Sequence, residues 1–374
     1  MEVEKRVVLL MLRDKLSEEE RSELVDLLWT HMNWSQVLGY IHSHRIGGIV
    51  YKNLQKNVVS QGFERFLLNK FYFSLRDQYR LQKVRGEEQL AFTLNIGKQL
   101  DKNNIPFCVL KGLTLSVGIY KDFGCRNSND TDILVQPEYL QSALQVFKNN
   151  NYIQGRMSKS TGQIVPANRR EVLMRPLVSH EVIPLQKLAN GNQFIDYHEI
   201  DLQFSIDLMT SNRTDGFVKE LIDRKIALDG HHGLYALSWE DHLLFLCNHF
   251  YKEATTDYDV VRYNDLSLYK LHDIYSLLVS NIPIQWERIY DGIENYRLRK
   301  AAYYTFYYIN TVYGSVISDT MMSEIYSGNL EYLHEVYVYN NEDLAIRWED
   351  DVIDRIFNMN RAKNVHDDRF SVPH

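Results

Sequence analysis

The chain has 374 residues, of which 24% are charged, 18 are glycine and 7 are proline, so collagen-like, low-complexity and fully disordered classes are excluded. The formal charge of −7 argues against a protein that binds nucleic acid over a broad basic surface, but it permits a local phosphate site. The three cysteines form no C-x-x-C pair, which disfavours a structural zinc site or a disulfide framework. Because no apolar run approaches the roughly 20 residues that span a bilayer, and none resembles a secretory signal, we expect a soluble, cytoplasmic protein.

The N-terminal residues 1–90 are predicted to be helical. Ser17 and Glu20 form a capping-box pattern ahead of apolar residues at helical spacing. Two further helices are predicted over 34–54, where Gly47-Gly48 weakens the middle, and over 63–100.

Strands and helices then alternate. Short strands are predicted over 105–110 and 131–135, each followed by a helix, over 113–120 and 137–149. Asn190-Gly191 predicts a hairpin between strands over 178–188 and 193–206. From Trp239 onward the apolar spacing is helical again, so the pattern predicts an α+β fold.

The segment Asp130-Thr131-Asp132 is the most informative part of the sequence. Because side chains alternate along a strand, the two carboxylates point the same way, about 7 Å apart, while Ile133 takes the buried face. Such a pair can bind a hard cation, and Mg²⁺ is commonly completed by water and substrate phosphates. Upstream, Lys111-Gly112 ends a strand where backbone can approach an anion closely.

Either motif alone is weak, but their order and spacing are specific. The chain resembles an uncharacterised bacterial nucleotidyltransferase family of the DNA polymerase beta-type superfamily, over roughly residues 33–280. The opening segment of that likeness contains His44-Arg45-Ile46. The matching chemical motifs are Leu110-Lys111-Gly112, Arg126, Asp130, Asp132, Ile133-Leu134-Val135 and the later segment His198-Glu199-Ile200-Asp201-Leu202-Gln203-Phe204.

The resemblance implies a small mixed sheet that carries metal-dependent nucleotidyl transfer. It implies that Asp130, Asp132 and Asp201 are catalytic and bind two Mg²⁺ ions, with Mn²⁺ as a substitute. It also implies that Lys111, Gly112 and Arg126 bind the NTP. Arg126 has a second interpretation, in which it pairs with Asp130 or Asp132 and holds the loop.

His180 and His198 are candidates for an acceptor pocket. Together with Glu181 and Glu199 they also permit a zinc site, although a cross-strand polar pair is the commoner arrangement and the one we favour.

The predicted architecture is an N-terminal helical region over 1–90, a nucleotidyltransferase core over 91–210, a C-terminal helical region over 211–359 and a loose tail over 360–374.

The preferred function is transfer of a nucleoside monophosphate from an NTP, with ATP favoured, to a nucleophile on a small molecule, peptide or protein. Two alternatives stay open. Thr131, and Lys111-Gly112 in place of the Gly-Ser usual in the superfamily, are compatible with a degenerate nucleotide-binding or scaffolding module. A toxin-like transferase acting on a target such as tRNA is the other.

Overall fold

The structure, a computed structural model, describes residues 2–206, 215–228, 230–326, 328–339, 341 and 343–364. The chain forms two compact units, one made of residues 1–79 and 246–374 and the other of residues 80–245. The predicted α+β class, with a mixed sheet and helical regions before and after it, is confirmed. In the described residues, no helix is both long and apolar enough to cross a membrane.

The first unit begins with four helices. They are α1 (Val3–Met11), α2 (Glu18–Trp29), α3 (Trp34–Ser43) and α4 (Gly47–Asn57). The predicted capping box is present, since the Ser17 hydroxyl accepts from the Glu20 backbone N–H and the Glu20 carboxylate accepts from that of Ser17. The single helix predicted over 34–54 is wrong, because Arg45 has a φ of 56° and separates α3 from α4.

The second unit is built on a six-stranded sheet. In chain order the elements of this unit are α5 (Asn69–Lys102, which starts in the first unit), β1 (Phe107–Leu110), α6 (Gly112–Leu115), β2 (Thr131–Val135), α7 (Leu140–Asn149), β3 (Ile153–Ser158), β4 (Gln163–Pro166), α8 (Arg169–Val178), β5 (Leu185–Leu188), β6 (Tyr197–Gln203), α9 (Asp215–Asp223), β7 (Ile226–Ala227), β8 (Tyr235–Ala236) and α10 (Trp239–Ala254, which ends in the first unit). The sheet order is β1-β2-β6-β5-β3-β4, with β2 and β6 parallel and the other described pairs antiparallel.

The hairpin at Asn190-Gly191 is confirmed as β5–β6, but the strand predicted over 178–188 is too long. Val178 is the last residue of α8, and β5 begins only at Leu185. Residues 180–182 then run beside the end of β6, since Val182 N–H donates to the Leu202 carbonyl at 3.1 Å.

Within the second unit, one face of the sheet packs into the hydrophobic core. Val109 on β1, Ile133 on β2, and Ile200 and Leu202 on β6 are fully buried there. Because side chains alternate along a strand, the residues between them face the other side of the sheet, and these include Asp132 and Asp201.

The C-terminal part of the first unit is mostly helical, as predicted. Its elements are α11 (Asp257–Val261), α12 (Leu268–Leu278), α13 (Trp286–Asn295), α14 (Arg299–Tyr313), α15 (Asp319–Glu324), β9 (Glu335–Tyr337), β10 (Leu344–Arg347) and α16 (Val352–Phe357). A short 3-10 turn, Arg361–Asn364, follows within the segment expected to be a loose tail, and residues 365–374 lie outside the described residues.

Candidate active site

The parallel pairing of β2 and β6 places two of the predicted catalytic carboxylates side by side. Asp132 is the register partner of Asp201, and Leu134 is that of Gln203. Asp130 lies in the loop just before β2. Its backbone carbonyl accepts hydrogen bonds from Gln89 Nε2 at 2.5 Å and from Ser128 Oγ at 2.8 Å, and these bonds hold the loop in place. The fold therefore brings two distant segments, 130–132 and 201–203, together at one face of the sheet.

Asp132 is buried and bonded through one oxygen. Its Oδ1 accepts from Lys111 Nζ at 2.9 Å and from Gln203 Nε2 at 2.7 Å. The resemblance implied that Lys111 meets a triphosphate, and in this structure it forms an ion pair with Asp132. Gln203, noted in the sequence only as part of a matching segment, thus has a direct contact with the carboxylate pair.

Burial and mutual repulsion make the charged forms of both aspartates unfavourable. Burial raises the pKa of Asp132 to about 6, and although the Lys111 charge opposes this rise, Asp130 adds to it. The pKa of Asp201 is raised to about 9, mainly by burial and then by the charges of Glu181, Asp130 and Asp132. Burial and these neighbouring charges therefore favour the protonated form of Asp201 unless a cation is close by.

Two glutamates that were not assigned to the site belong to the same face. Glu181 is bridged to Gln203 at the end of β6 and accepts a hydrogen bond from Arg175 on α8. Glu199, two residues before Asp201, accepts from Gln186 on the neighbouring strand β5, and burial raises its pKa. The alternating run Glu199, Asp201, Gln203 was a sequence signal for this shared face.

The Lys-Gly turn after β1 has a constrained backbone. Lys111 has a φ of 51°, a region that favours glycine. Next to it, a Cβ on Gly112 would lie 2.6 Å from Ser128 Oγ, so only glycine lets this turn approach the 126–128 loop so closely. Arg126 donates from Nη1 to the Asn127 carbonyl, and its Cζ would be 3.8 Å from that added Cβ. The predicted nucleotide-binding residues are therefore adjacent.

The two candidate acceptor histidines lie in different places. His198 points to the core face of β6, is 1% exposed, and stacks on Phe92. Burial lowers its pKa to about 3. It lies within 3.1 Å of the Thr131 hydroxyl and 2.9 Å of the Tyr152 hydroxyl, so buried Thr131 has the hydrogen bond that its position requires.

His180 lies beside the carboxylate face. Its Nε2 is 3.7 Å from Glu181, and its backbone carbonyl accepts from Phe204 at 3.0 Å. Across the hairpin His198 is paired with Lys187, so His180 and His198 do not meet. Both the zinc alternative and the favoured cross-strand polar pair are therefore wrong.

The carboxylate face is chemically suited to a hard divalent cation. Its donors are carboxylate oxygens, and the buried Oδ1 of Asp201 has no hydrogen-bond partner among the described residues. In the same described part of the chain, no three His, Cys, Asp or Glu side chains are grouped closely enough to hold an ion by themselves. A cation here would therefore need ligands from water or substrate in addition to the aspartates, as Mg²⁺ commonly does.

Comparison with known families gives one match. A family model described as an uncharacterised nucleotidyltransferase matches residues 30–314, well over half of the chain. The chain belongs to this family of nucleotidyltransferases. A comparison with curated proteins finds no match.

Proposed function

We propose that the protein is a Mg²⁺-dependent nucleotidyltransferase that moves a nucleoside monophosphate from an NTP, with ATP favoured, to a hydroxyl or other nucleophile. One observation carries the proposal: Asp132 and Asp201 are adjacent across a parallel strand pair, and a buried Asp201 oxygen has no partner in the described residues. Buried carboxylates held together are unfavourable unless a cation or a proton neutralises them.

The aspartates and Lys111 have distinct proposed roles. Asp130, Asp132 and Asp201 are the residues that would hold the cation, and Mg²⁺ or Mn²⁺ would neutralise the triphosphate and stabilise the attacking and leaving oxygens. Lys111 exchanges Asp132 for a phosphate oxygen when the NTP binds. Asp201, once it has lost its proton, orients the acceptor nucleophile and accepts its proton.

The phosphate-binding part of the site is formed by a turn and the loop beside it. Gly112 lets the backbone approach the triphosphate. Arg126, in the loop that faces Gly112, adds a positive charge that is held in place by its hydrogen bond to the Asn127 carbonyl. His180, whose Nε2 lies 3.7 Å from Glu181, is proposed to contact the acceptor.

The acceptor is proposed to be a small molecule or a peptide or protein side chain. The net charge of −7 and the acidic sheet face, with Glu181 and Glu199 beside the aspartates, disfavour a polyanion such as tRNA.

One observation favours a second candidate, a nucleotide-binding module without turnover. Lys111 and Gln203 both donate to the same oxygen of Asp132 and so compete with a metal ion for it. In that case the protein binds an NTP and releases no pyrophosphate.

The test is to incubate the full-length protein with Mg²⁺, each labelled NTP and a cell extract, and to follow both transfer of label and pyrophosphate release. We expect activity in the wild type and in Asp196→Asn, which changes an exposed carboxylate just before β6, and none in Asp132→Asn. Equal labelling by wild type and Asp132→Asn contradicts the proposal. Binding of Mg·NTP by the wild type with neither label transfer nor pyrophosphate release favours the second candidate.

A further inference from the structure

The first unit contains a separate pocket of about 460 Å³. It lies where α3 and α11 end, and three arginines and two tyrosines contribute to its wall: Arg45, Arg262, Arg361, Tyr263 and Tyr269. A volume of this size is in the range of small-ligand pockets.

The two helix ends that form this pocket share an unfavourable backbone. Ile46 N–H donates to the Ile41 carbonyl at 3.1 Å, and Asn264 N–H donates to the Asp259 carbonyl at 3.0 Å, so both ends have the turn that usually contains a left-handed glycine. The left-handed residues here are Arg45, with a φ of 56°, and Tyr263, with a φ of 55°. A long side chain in this conformation costs about 1 kcal/mol relative to glycine.

The charges in the pocket are only partly balanced. Arg361 is buried and makes a bidentate pair with buried Asp265, with contacts of 2.6 to 3.0 Å. Among the described residues, neither Arg45 nor Arg262 has a carboxylate partner. Arg45 lies 5.0 Å over the Tyr269 ring, and Arg361 lies 4.9 Å over the Tyr263 ring. The Arg45 guanidinium is thus held near an aromatic face, whereas that of Arg361 is already paired with Asp265.

His44, next to Arg45, supplies a buried donor. It is 2% exposed, and its Nδ1 accepts from the Leu268 backbone N–H at 3.3 Å. Burial, followed by the Arg361 charge, lowers its pKa to about 3, so the ring is neutral and carries its proton on Nε2. In the described residues this buried Nε2 has no hydrogen-bond partner. An unpaired buried N–H is unfavourable, and since His44 lines the pocket, a ligand oxygen that reached this nitrogen would satisfy it.

We propose that this pocket is a second ligand site, distinct from the carboxylate face, for a small phosphorylated ring compound of the nucleoside monophosphate class. The phosphate binds between Arg45 and Arg262 and accepts from His44, and the ring stacks on Tyr263. The left-handed conformations of Arg45 and Tyr263 place these side chains in the pocket wall. The alternative is that the arginines only offset the negative ends of the helix dipoles.

The test is calorimetric titration of the full-length protein in EDTA, where a metal-dependent NTP site is silent, with AMP, adenosine and inorganic phosphate as probes. We expect AMP to bind at least tenfold more tightly than either fragment. Arg45→Gly relieves backbone strain, so we expect it to unfold at an equal or higher temperature and yet bind AMP at least tenfold more weakly. Asp132→Asn should leave AMP binding in EDTA unchanged.

Arg297 provides a matched control. It has a φ of 56° and the same turn, with Leu298 N–H donating to the Ile293 carbonyl at 2.8 Å, and it is not part of the pocket wall. Arg297→Gly should give a similar thermal shift with unchanged AMP binding. The proposal is overturned if AMP does not bind, if Arg45→Gly and Arg297→Gly bind it equally well, or if Asp132→Asn abolishes binding.

Discussion

Asp132 and Asp201, 69 positions apart in the sequence, are direct neighbours across the parallel strands β2 and β6. Lys111 and Gln203 bind one oxygen of Asp132, whereas a buried oxygen of Asp201 has no partner in the described part of the chain. The pair therefore combines one neutralised carboxylate with one that needs a proton or a cation.

Asp201→Asn should separate stability from activity. The substitution removes a buried carboxylate that is close to Glu181, Asp130 and Asp132. It should therefore raise the free energy of unfolding of the metal-free protein at pH 8 by about 1 kcal/mol, which corresponds to a melting temperature a few degrees higher. Nucleotidyl transfer should fall on the order of 10²-fold or more, because a charge that stabilises the transition state is lost. Calorimetry and pyrophosphate release measure the two effects.

Glu199→Gln is the matched control for Asp201→Asn. It removes a carboxylate from the same strand and face whose pKa is also raised by burial, but which is not a proposed metal ligand. It should leave the transfer rate within a few-fold of wild type. If Glu199→Gln and Asp201→Asn lower activity equally, the assignment of Asp201 as a metal ligand is wrong.

Metal affinity should rise with pH. Between the unfolded pKa of 3.8 and the folded pKa of about 9, folded Asp201 keeps a proton that the unfolded chain has lost, so stability without metal decreases as pH rises through this window. Cation binding requires the opposite protonation state, so the affinity for Mn²⁺ should increase by up to about tenfold per unit between pH 6 and 9.

Titration of the protein with Mn²⁺ at pH 6, 7, 8 and 9 measures this dependence. The rise should be absent in Asp201→Asn. An affinity independent of pH in the wild type would show that Asp201 is already ionised without metal, contrary to the raised pKa.

Much of this site could be predicted because it follows from local alternation. A strand period of two predicts that Asp130 and Asp132 lie on one side and Ile133 on the other. The burial of Ile133 agrees with this prediction. The same rule would have separated His198 from Asp201, since three positions apart on a strand places them on opposite faces. His198 accordingly lies on the core face of β6, away from the carboxylates.

Other features depend on contacts that no short pattern specifies. Glu181 reaches the site because residues 180–182, between α8 and β5, run beside the end of β6. Likewise, the ion pair of Lys111 with Asp132 depends on the antiparallel register that sets Leu110 opposite Asp132. Register is set by the whole sheet and its core, which is why these partners were not predictable from the motif.

Two substitutions of Lys111 should separate its charge from its backbone strain. Lys111→Met leaves buried Asp132 without its cation and should lower the free energy of unfolding by about 1–3 kcal/mol. Lys111→Gly should recover about 1 kcal/mol of that loss, because glycine adopts a φ of 51° without strain. Both should weaken NTP binding similarly. Denaturant unfolding measures the free energies of unfolding, and equilibrium binding measures the NTP affinities. Equal stability of the two variants would refute the claim that the backbone of Lys111 is strained.

Gly112→Ala should damage the nucleotide site through a steric contact that a second substitution can remove. The new Cβ would lie 2.6 Å from Ser128 Oγ and 2.9 Å from Ser128 Cβ, so the loop that carries Arg126 must move. We expect kcat/KM for the NTP to fall about tenfold or more, since small misplacements at a reacting centre are expensive. Adding Ser128→Gly should restore part of this loss. Gly39→Ala, where a Cβ meets nothing within 4 Å in α3, should leave activity unchanged and stabilise the helix. If Ser128→Gly does not improve the Gly112→Ala enzyme, the close approach of the turn and the loop does not control nucleotide binding.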